Sequence, residues 1–549
     1  RLGDHLGYYC GRVWVSPHDP NEVVTSGVLL LRSKDGGRTF TETADTAHSD
    51  HHAYWFDPSN PARQFNGNDG GMYATGNGGD NWRHWNNLAV GQFTTIAVDN
   101  KTPYNIYGGL QDNGTMKGPA TRGFRSGWTS IGGGDGSAIA VDPRDGGDLV
   151  YIASQFGSHS ALNQKTNERW SARAQGQRLR YNWISPLIVS SHHPDIVYLG
   201  SQKVHRSMNS ARGYTDISDD ITRNVPNGDV PHSTIKDLSE SPLQFGLLYA
   251  GCDDGSVKMT PDGGFQWIDI STPQPKKWVS RIVASKWDKP TVYCAQSGYR
   301  EDDFSAYLWK STDFGKTWKS IVGNLPAETI NVIREDPARK DVLYVGTDLG
   351  VYVSFDGGTA WETLHGGLMT TPVHDLVVQP RENELVIASH ARSVWVLPLA
   401  LVHELTPELR STDLKLWPLV EMRRSRTWGY NYAGGEWSST DQNVPPLKIT
   451  FWTKTAGPTT IRIKDAKGAI VKEMKVTALK GYNFADFSLL LTPGKPGTAL
   501  ITKPKTGAEA VKDPYESERP KFLEAGDYTV EIEVGGKTTG GSWKLTQGT

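Results

Sequence analysis

The sequence predicts an all-β protein in which a β-propeller is followed by a small β-sandwich. Three observations carry this expectation: a pattern that returns nine times before residue 400, a period close to that of a four-stranded propeller blade, and a change to plain strand alternation afterwards. The composition agrees, since 59 Gly and 19 Trp with 37% hydrophobic and 21% charged residues suit a turn-rich, aromatic-rich β chain better than a disordered one. At 549 residues the chain exceeds one ordinary domain.

Each copy reads as a β-branched run, a polar corner, a strand resembling VYLG and a strand that ends in a glycine turn. The corners are VSPHDP (15–20), FDPSNP (56–61), VDNKTP (98–103), VDPRDG (141–146), VSSHHP (189–194), LSESPL (238–243), ASKWDKP (284–290), EDPARK (335–340) and VQPREN (378–383). The steps from Pro17 to Pro58 and from Pro337 to Pro380 are 41 and 43 residues, which is a blade period and not a helical solenoid.

A second mark lies inside the copies: SKDGGRTF (33–40), TGNGGDNW (75–82), TPDGGFQW (260–267), STDFGKTW (311–318) and SFDGGTAW (354–361), with a degraded NSARGYTD (209–216). The Ser or Asp side chain can bond turn amides, Gly can take a conformation closed to other residues, and the aromatic ring can bury itself between strands. These aspartates are therefore read as hairpin staples and not as catalytic groups.

On these repeats, and on the phrases NGNDGGMY, YGGLQDNGT, GGGDGS and ASHARSVWVL, the chain resembles BNR/Asp-box β-propeller proteins over roughly residues 8 to 400. The similarity is to the bacterial branch described as glycosyl-hydrolase-like or sortilin (Vps10)-like, related in architecture to family 74 glycoside hydrolases. That resemblance implies an exported protein, secreted or at the periplasmic or outer face of the envelope, and an architecture of tandem seven-bladed propellers. Residues 1–90 are then expected to be the last two blades of a preceding propeller and residues 91–400 a complete seven-bladed one. A single propeller of eight or more blades using all nine copies is the other arrangement. Because the chain starts at Arg1 and not at Met, it is expected to be a portion of something longer.

After residue 400 the repeats stop. Residues 401–446 read as a linker, and 447–549 as an Ig-like sandwich, from PLKITFWTKTAGPTTIRIKDAKGAIVKEMKV, FADFSLLL and GDYTVEIEVGGK; the polar, Pro-containing segment 503–521 reads as a long loop.

The formal charge of -2 and the lack of a long basic run leave no footprint for nucleic acid or anionic membrane. The longest apolar run, Val394 to Val402, is interrupted by Pro398 and too short to span a bilayer. Three cysteines, Cys10, Cys252 and Cys294, provide no disulfide framework. No cofactor is expected. The expected partners are a polysaccharide or oligosaccharide, or a peptide or protein, together with the missing N-terminal propeller or a larger assembly.

The stretch HSDHHAYWFDPSNPARQFNGNDGGMY, residues 48–73, concentrates titratable groups. Strand alternation is expected to place His48, Asp50 and His52 on one face and His51 on the other. Such a face suits a wet channel lining, a zinc or iron site, or one carboxylate of a glycosidase pair. The resemblance favours the last, because Asp50 precedes its FDP corner much as a catalytic aspartate precedes the equivalent corner in family 74 enzymes. Further candidates are Asp69 in GNDGG, Asp112 with Asn113 in GLQDNGT and Asp135 in GGGDGS, each in a turn that exposes backbone amides. Arg178, Arg180 and Asn182 in RLRYNW could grip a carboxylate, and Trp55, Trp85, Trp128, Trp170, Trp183 and Trp278 could stack on sugar rings. His390 and Arg392 lie where similar chains carry Gly in place of Ala391 or Ser393, and no role is expected of them. No arginine triad of the sialidase kind is present.

Two functions from different classes follow. One is a glycoside hydrolase or glycan-binding enzyme that pairs Asp50 with Asp112 or Asp135, with His48, His52, Asp69, Asn113, Arg180 and Trp183 as substrate contacts and no metal. The other is a non-catalytic, sortilin-like propeller that binds peptide or protein partners.

Overall fold

A computed structural model describes residues 9–85, 88–120, 127–176, 178–225, 228, 230–364, 368–425, 428, 446–492 and 521–548. It is nearly all β and divides into two compact units, Arg1–Trp361 with Met369–Leu399 and Glu362–Leu368 with Ala400–Thr549. Of the segment 503–521, read above as a long loop, residues 503–520 lie outside the described residues and Lys521 belongs to a short strand, Lys521–Phe522.

The larger unit is a series of antiparallel sheets whose strands follow chain order. Two four-stranded sheets come first, with initial strands Val13–Val15 and His51–Phe56. Five more four-stranded sheets begin at Gly136, Leu187, Ile235, Trp278 and Ile330. The four strands from Gly91 to Gly132 and the three from Val373 to Pro398 form one seven-stranded sheet, because His390 pairs with Gln92 and Ala391 with Gly91.

This seam between early and late chain is reinforced along its length. Tyr104 donates from its hydroxyl to Glu384 at 2.7 Å, Gln379 donates to the Asp99 carbonyl at 2.9 Å, and Arg381 donates to the carbonyls of Asn100 and Lys101 at 2.7 and 2.6 Å. Asp375, only 3% exposed, accepts from the Ile96 amide at 3.1 Å.

The recurring sequence marks have local causes. At the corners a buried aspartate caps the turn and ties it to the tyrosine of the next strand. Asp336 accepts the amides of Ala338 and Arg339 at 2.7 and 2.9 Å and the hydroxyl of Tyr344 at 2.5 Å. Asp99 does the same for Lys101, Asn105 and Tyr107. Burial of both partners makes the pair costly to break, so Asp336→Ala is expected to lower stability by about 2–3 kcal/mol, read as a shift in the urea midpoint at unchanged m-value.

The Ser/Thr-x-Asp-x-Gly marks close hairpins and join neighbouring sheets. Ser311 Oγ accepts the Gly315 amide at 2.8 Å, Asp313 accepts the Thr317 amide at 2.9 Å, and Trp318 donates from Nε1 to the Ile270 carbonyl of the preceding repeat at 2.7 Å. Trp267 and Trp361 reach Ile217 and Ile321 in the same manner, at 2.8 and 2.9 Å. Between sheets lie small aliphatic and aromatic clusters, such as Leu247, Tyr249, Val279, Ile282 and Val292.

The smaller unit is a β-sandwich. Leu414–Leu416, Leu447–Thr453 and Gly481–Phe487 form a three-stranded sheet, and Met422–Arg424, Gly457–Lys464, Ile470–Ala478, Gly526–Val534 and Lys537–Gln547 a five-stranded one. Ile449, Phe451, Ile461, Ile463, Phe487, Ile532 and Trp543 form its core. The stretch read as a linker holds, among its described residues, two short helices, Ala400–Glu404 and Pro407–Ser411, and two strands that pair into these sheets. Short alternations of three residues carry too little period to be recognised in sequence.

Candidate functional site

The His48–Asp50–His52 face expected from alternation does not form. Asp50 has φ +59°, a left-handed conformation, and the strand begins only at His51. The kink turns Asp50 out of register, so the period-two argument fails at its first residue. His51 points inward, 2% exposed, with Nδ1 2.9 Å from Asn66 Oδ1, and burial lowers its pKa.

What the kink builds instead is a junction between the second sheet and the loops that follow Leu110 and Gly132. His48 Nε2 lies 2.9 Å from the Asp112 carbonyl and Nδ1 3.1 Å from that of Ser49. Asn113 donates to the Asp69 carbonyl at 2.8 Å. His52 Nε2 meets Asp69 Oδ1 at 2.8 Å, Tyr9 donates to Asp69 Oδ2 at 2.9 Å, and the Tyr9 and His52 rings stack edge to face at 4.5 Å. Glycine is required here: a Cβ on Gly70 would sit 2.3 Å from His48 Cβ, and one on Gly136 would sit 2.1 Å from the Gly114 carbonyl oxygen. Larger residues would separate the loops carrying Asp69, Asp112 and Asp135.

Asp112 is the centre of this cluster. Its carboxyl hydrogen-bonds the side chains of Asp135 and Asp69, while its amide donates to Asp135 Oδ1 at 3.0 Å. Burial, followed by the charges of Asp135 and Asp69, raises its pKa to about 6. Asp135 is held in turn by Gln155, whose Oε1 accepts the Asp135 amide at 2.9 Å. Burial and Asp69 push Tyr9 up to about 12. A hollow of about 480 Å³ opens beside the cluster, lined by His48, Asp50, Asp112, Asn113, Asp135 and the Gly132–Gly134 backbone. Asp50 lines it, with Ser49 donating to Oδ2 at 3.1 Å.

Five of the expected site residues, His48, Asp50, Asp112, Asn113 and Asp135, therefore share one hollow, and His52 and Asp69 adjoin it. Tyr9 is the member that sequence reasoning missed, since nothing local marks a tyrosine 60 residues from its acceptor. With both ring nitrogens of His48 on carbonyl oxygens and His52 on Asp69, neither imidazole is aimed at a shared ion. Among the described residues no group of three or more His, Cys, Asp or Glu is placed to hold a metal.

Arg180 and Trp183 lie elsewhere. Arg180 is taken up by Asp220 at 2.7 Å and by the Ser233 carbonyl at 3.2 Å, and buried Asn182 donates to Thr234 and Asp253. Trp183 packs edge to face on Phe156 at 4.9 Å. Trp170 donates to the Ser210 carbonyl and lies under Arg212, and Trp128 packs on Phe93. The three cysteines are buried and form no disulfide.

A second cavity, of about 610 Å³, is lined by residues from the first strand of each of the seven repeats between Gly91 and Leu399. Arg281 and Arg334 meet Asp375 there at 3.0 and 2.9 Å. The His374 and His390 rings lie 4.6 Å apart, tilted by 50°, and burial lowers the pKa of both. Ala391 and Ser393, the residues beside Arg392 in the late loop, both have positive φ, +104° and +61°.

No family model matches the chain, and no curated protein matches it. Among solved structures it is similar to an extracellular domain from B. thetaiotaomicron described as belonging to a hybrid two-component system, at 9% identity and a TM-score of 0.43, covering 98% of this chain and 68% of that one. A second such domain from the same organism gives 8% and 0.42, with the same coverage. A GH74 enzyme from Niastella koreensis gives 13% and 0.23, covering 71% of this chain and 84% of that one. At TM-scores of 0.23 to 0.43 these likenesses assign no activity. No helix among the described residues is long and apolar enough to cross a membrane.

Proposed function

We propose that the chain is an exported BNR-type propeller that hydrolyses glycosidic bonds at the Asp112 hollow. The repeats from Gly91 to Leu399 would form a closed seven-bladed ring, supported by the pairing of Gly91 and Gln92 with Ala391 and His390. The two earlier sheets would belong to a preceding propeller and contribute His48, Asp50, His52 and Asp69 to the hollow. The sandwich from residue 447 would be Ig-like.

The observation that carries the reading is a carboxyl held protonated towards neutral pH beside an open hollow. A glycosidase needs such an acid at the leaving oxygen and a second, ionised carboxylate across the sugar. Asp69 and Asp135 hydrogen-bond Asp112 directly, too close to leave room for a sugar between them; their role is to keep the proton on Asp112. Asp50 is the remaining carboxylate of the lining. Asp112 then gives its proton to the glycosidic oxygen as the C–O bond breaks. Water adds to the anomeric carbon and passes its proton to Asp50.

The test is hydrolysis of a glycan panel including β-glucans and xyloglucan by the native protein, Asp112→Asn and Asp50→Asn. Turnover lost in both variants supports the reading. Turnover in neither the native protein nor the variants sinks it and turns attention to a sortilin-like binding role, the second reading, which the 610 Å³ cavity lined by all seven first strands favours.

A further inference from the structure

The larger cavity has a charge pattern that the fold does not complete. Of its cations, Arg281 and Arg334 share Asp375, and Arg281 also lies 3.5 Å from Asp237. Asp348 accepts the Asn331 amide at 2.9 Å. Two cations are left over. Lys236, on the strand Ile235–Glu240, lines the cavity; among the described residues no carboxylate lies within ion-pair distance of it. Arg300 has none either and rests with Cζ 3.9 Å above the Trp278 ring.

The surroundings of Lys236 are costly for an isolated ammonium. Burial, and then the charge of Arg281, lowers its pKa to about 8. A desolvated cation without a counterion is destabilising unless something supplies one. Thr329, 4% exposed, also lines the cavity, and its Oγ1 has no hydrogen-bond partner among the described residues. Orphaned polar atoms of this sort are uncommon in folded proteins.

The aromatic groups define the rest of the ligand. Trp278 and Tyr299 line the same cavity as Arg300 and Lys236, and Tyr299 is 57% exposed. A guanidinium held over an indole can still form two parallel N–H···O bonds, a geometry that fits a planar carboxylate. The volume of about 610 Å³ suits a ligand of one or two rings.

We propose that this cavity is a binding site for a small organic carboxylate with a ring body, its carboxylate between Lys236 and Arg300 and its ring against Trp278 and Tyr299. The site is separate from the Asp112 hollow and does not depend on hydrolysis there.

Isothermal titration of the full chain with glucuronate and with benzoate, against glucose, benzyl alcohol and inorganic phosphate, tests it. Saturable binding of at least one carboxylate is expected, weakened at least about tenfold by Lys236→Met and by Arg300→Gln and unchanged by Asp112→Asn. Lys236→Met is expected to keep or raise Tm, since it removes a half-buried charge with no carboxylate beside it among the described residues, so lost binding would not reflect unfolding. Absence of saturable binding by both carboxylates would overturn the proposal. So would phosphate or the neutral analogues binding as tightly as the carboxylates, or both variants binding like the native protein.

Discussion

Asp375→Ala lowers the stability of the larger unit by about 3–5 kcal/mol, the cost of removing one partner from a buried charge cluster. Asp375 lies on the strand Val373–Gln379, is 3% exposed, and accepts from four donors: the guanidinium groups of Arg281 and Arg334 and the amides of Ile96 and Leu376. Its loss leaves two guanidinium groups with only Asp237, 3.5 Å from Arg281, to neutralise them, and an Ile96 amide without its acceptor at the seam. Burial already disfavours charge on Arg334. Asp375→Asn keeps the shape and one acceptor oxygen and is expected to cost clearly less. The double variant Asp375→Ala with Arg334→Met should recover part of the loss, because one of the two stranded charges is gone. Urea unfolding followed by tryptophan fluorescence measures all three. A midpoint for Asp375→Ala within error of the native protein would show that the cluster does not hold the seam.

Asp112→Asn lowers turnover by about 10²- to 10⁴-fold, the usual contribution of a positioned general acid. Asparagine keeps the size and the hydrogen bonds to neighbouring groups but has no proton to give. Two pH effects separate this from unfolding. The native pH–rate profile should fall as pH rises through about 6, where the folded protein loses the Asp112 proton. Stability moves the other way in the variant. The folded pKa of Asp112 is raised above its ordinary value of 3.8, so its charge penalises the folded state fully above about pH 6 and not at all below the unfolded value. Asp112→Asn should therefore be more stable than the native protein at pH 8 and no more stable at pH 3. An asparagine variant that unfolds more easily at pH 8 would contradict the burial and charge argument, whatever its activity.

The parts of this molecule legible in sequence are those whose physics closes within a few residues. The Ser311, Asp313, Gly315 and Thr317 bonds span two to four positions, so their spacing is readable as a staple. The corner aspartates bond a tyrosine eight residues on, which is why DP and VYLG recur in step. From such marks the all-β class and the repeated four-stranded units follow directly, because turn chemistry and strand period are local properties.

The candidate site was legible only as a set of suspects. GNDGG, QDNG and GGGDGS stand out by their glycines, but that Asp69, Asp112 and Asp135 meet depends on contacts 23 and 44 residues apart, and burial first, then the charges of Asp135 and Asp69, holds a proton on Asp112. His48, Asp50 and His52 were misplaced because one left-handed residue at Asp50 cancels the alternation on which the reading rested. The leftover charges of Lys236 and Arg300 are visible only once the strands lining the cavity are brought together, since whether a lysine has a counterion is a matter of what other strands place beside it. Local hydrogen bonding thus determined the repeat. Long-range packing decided which of its aspartates keeps a proton and which of its cations lacks a partner.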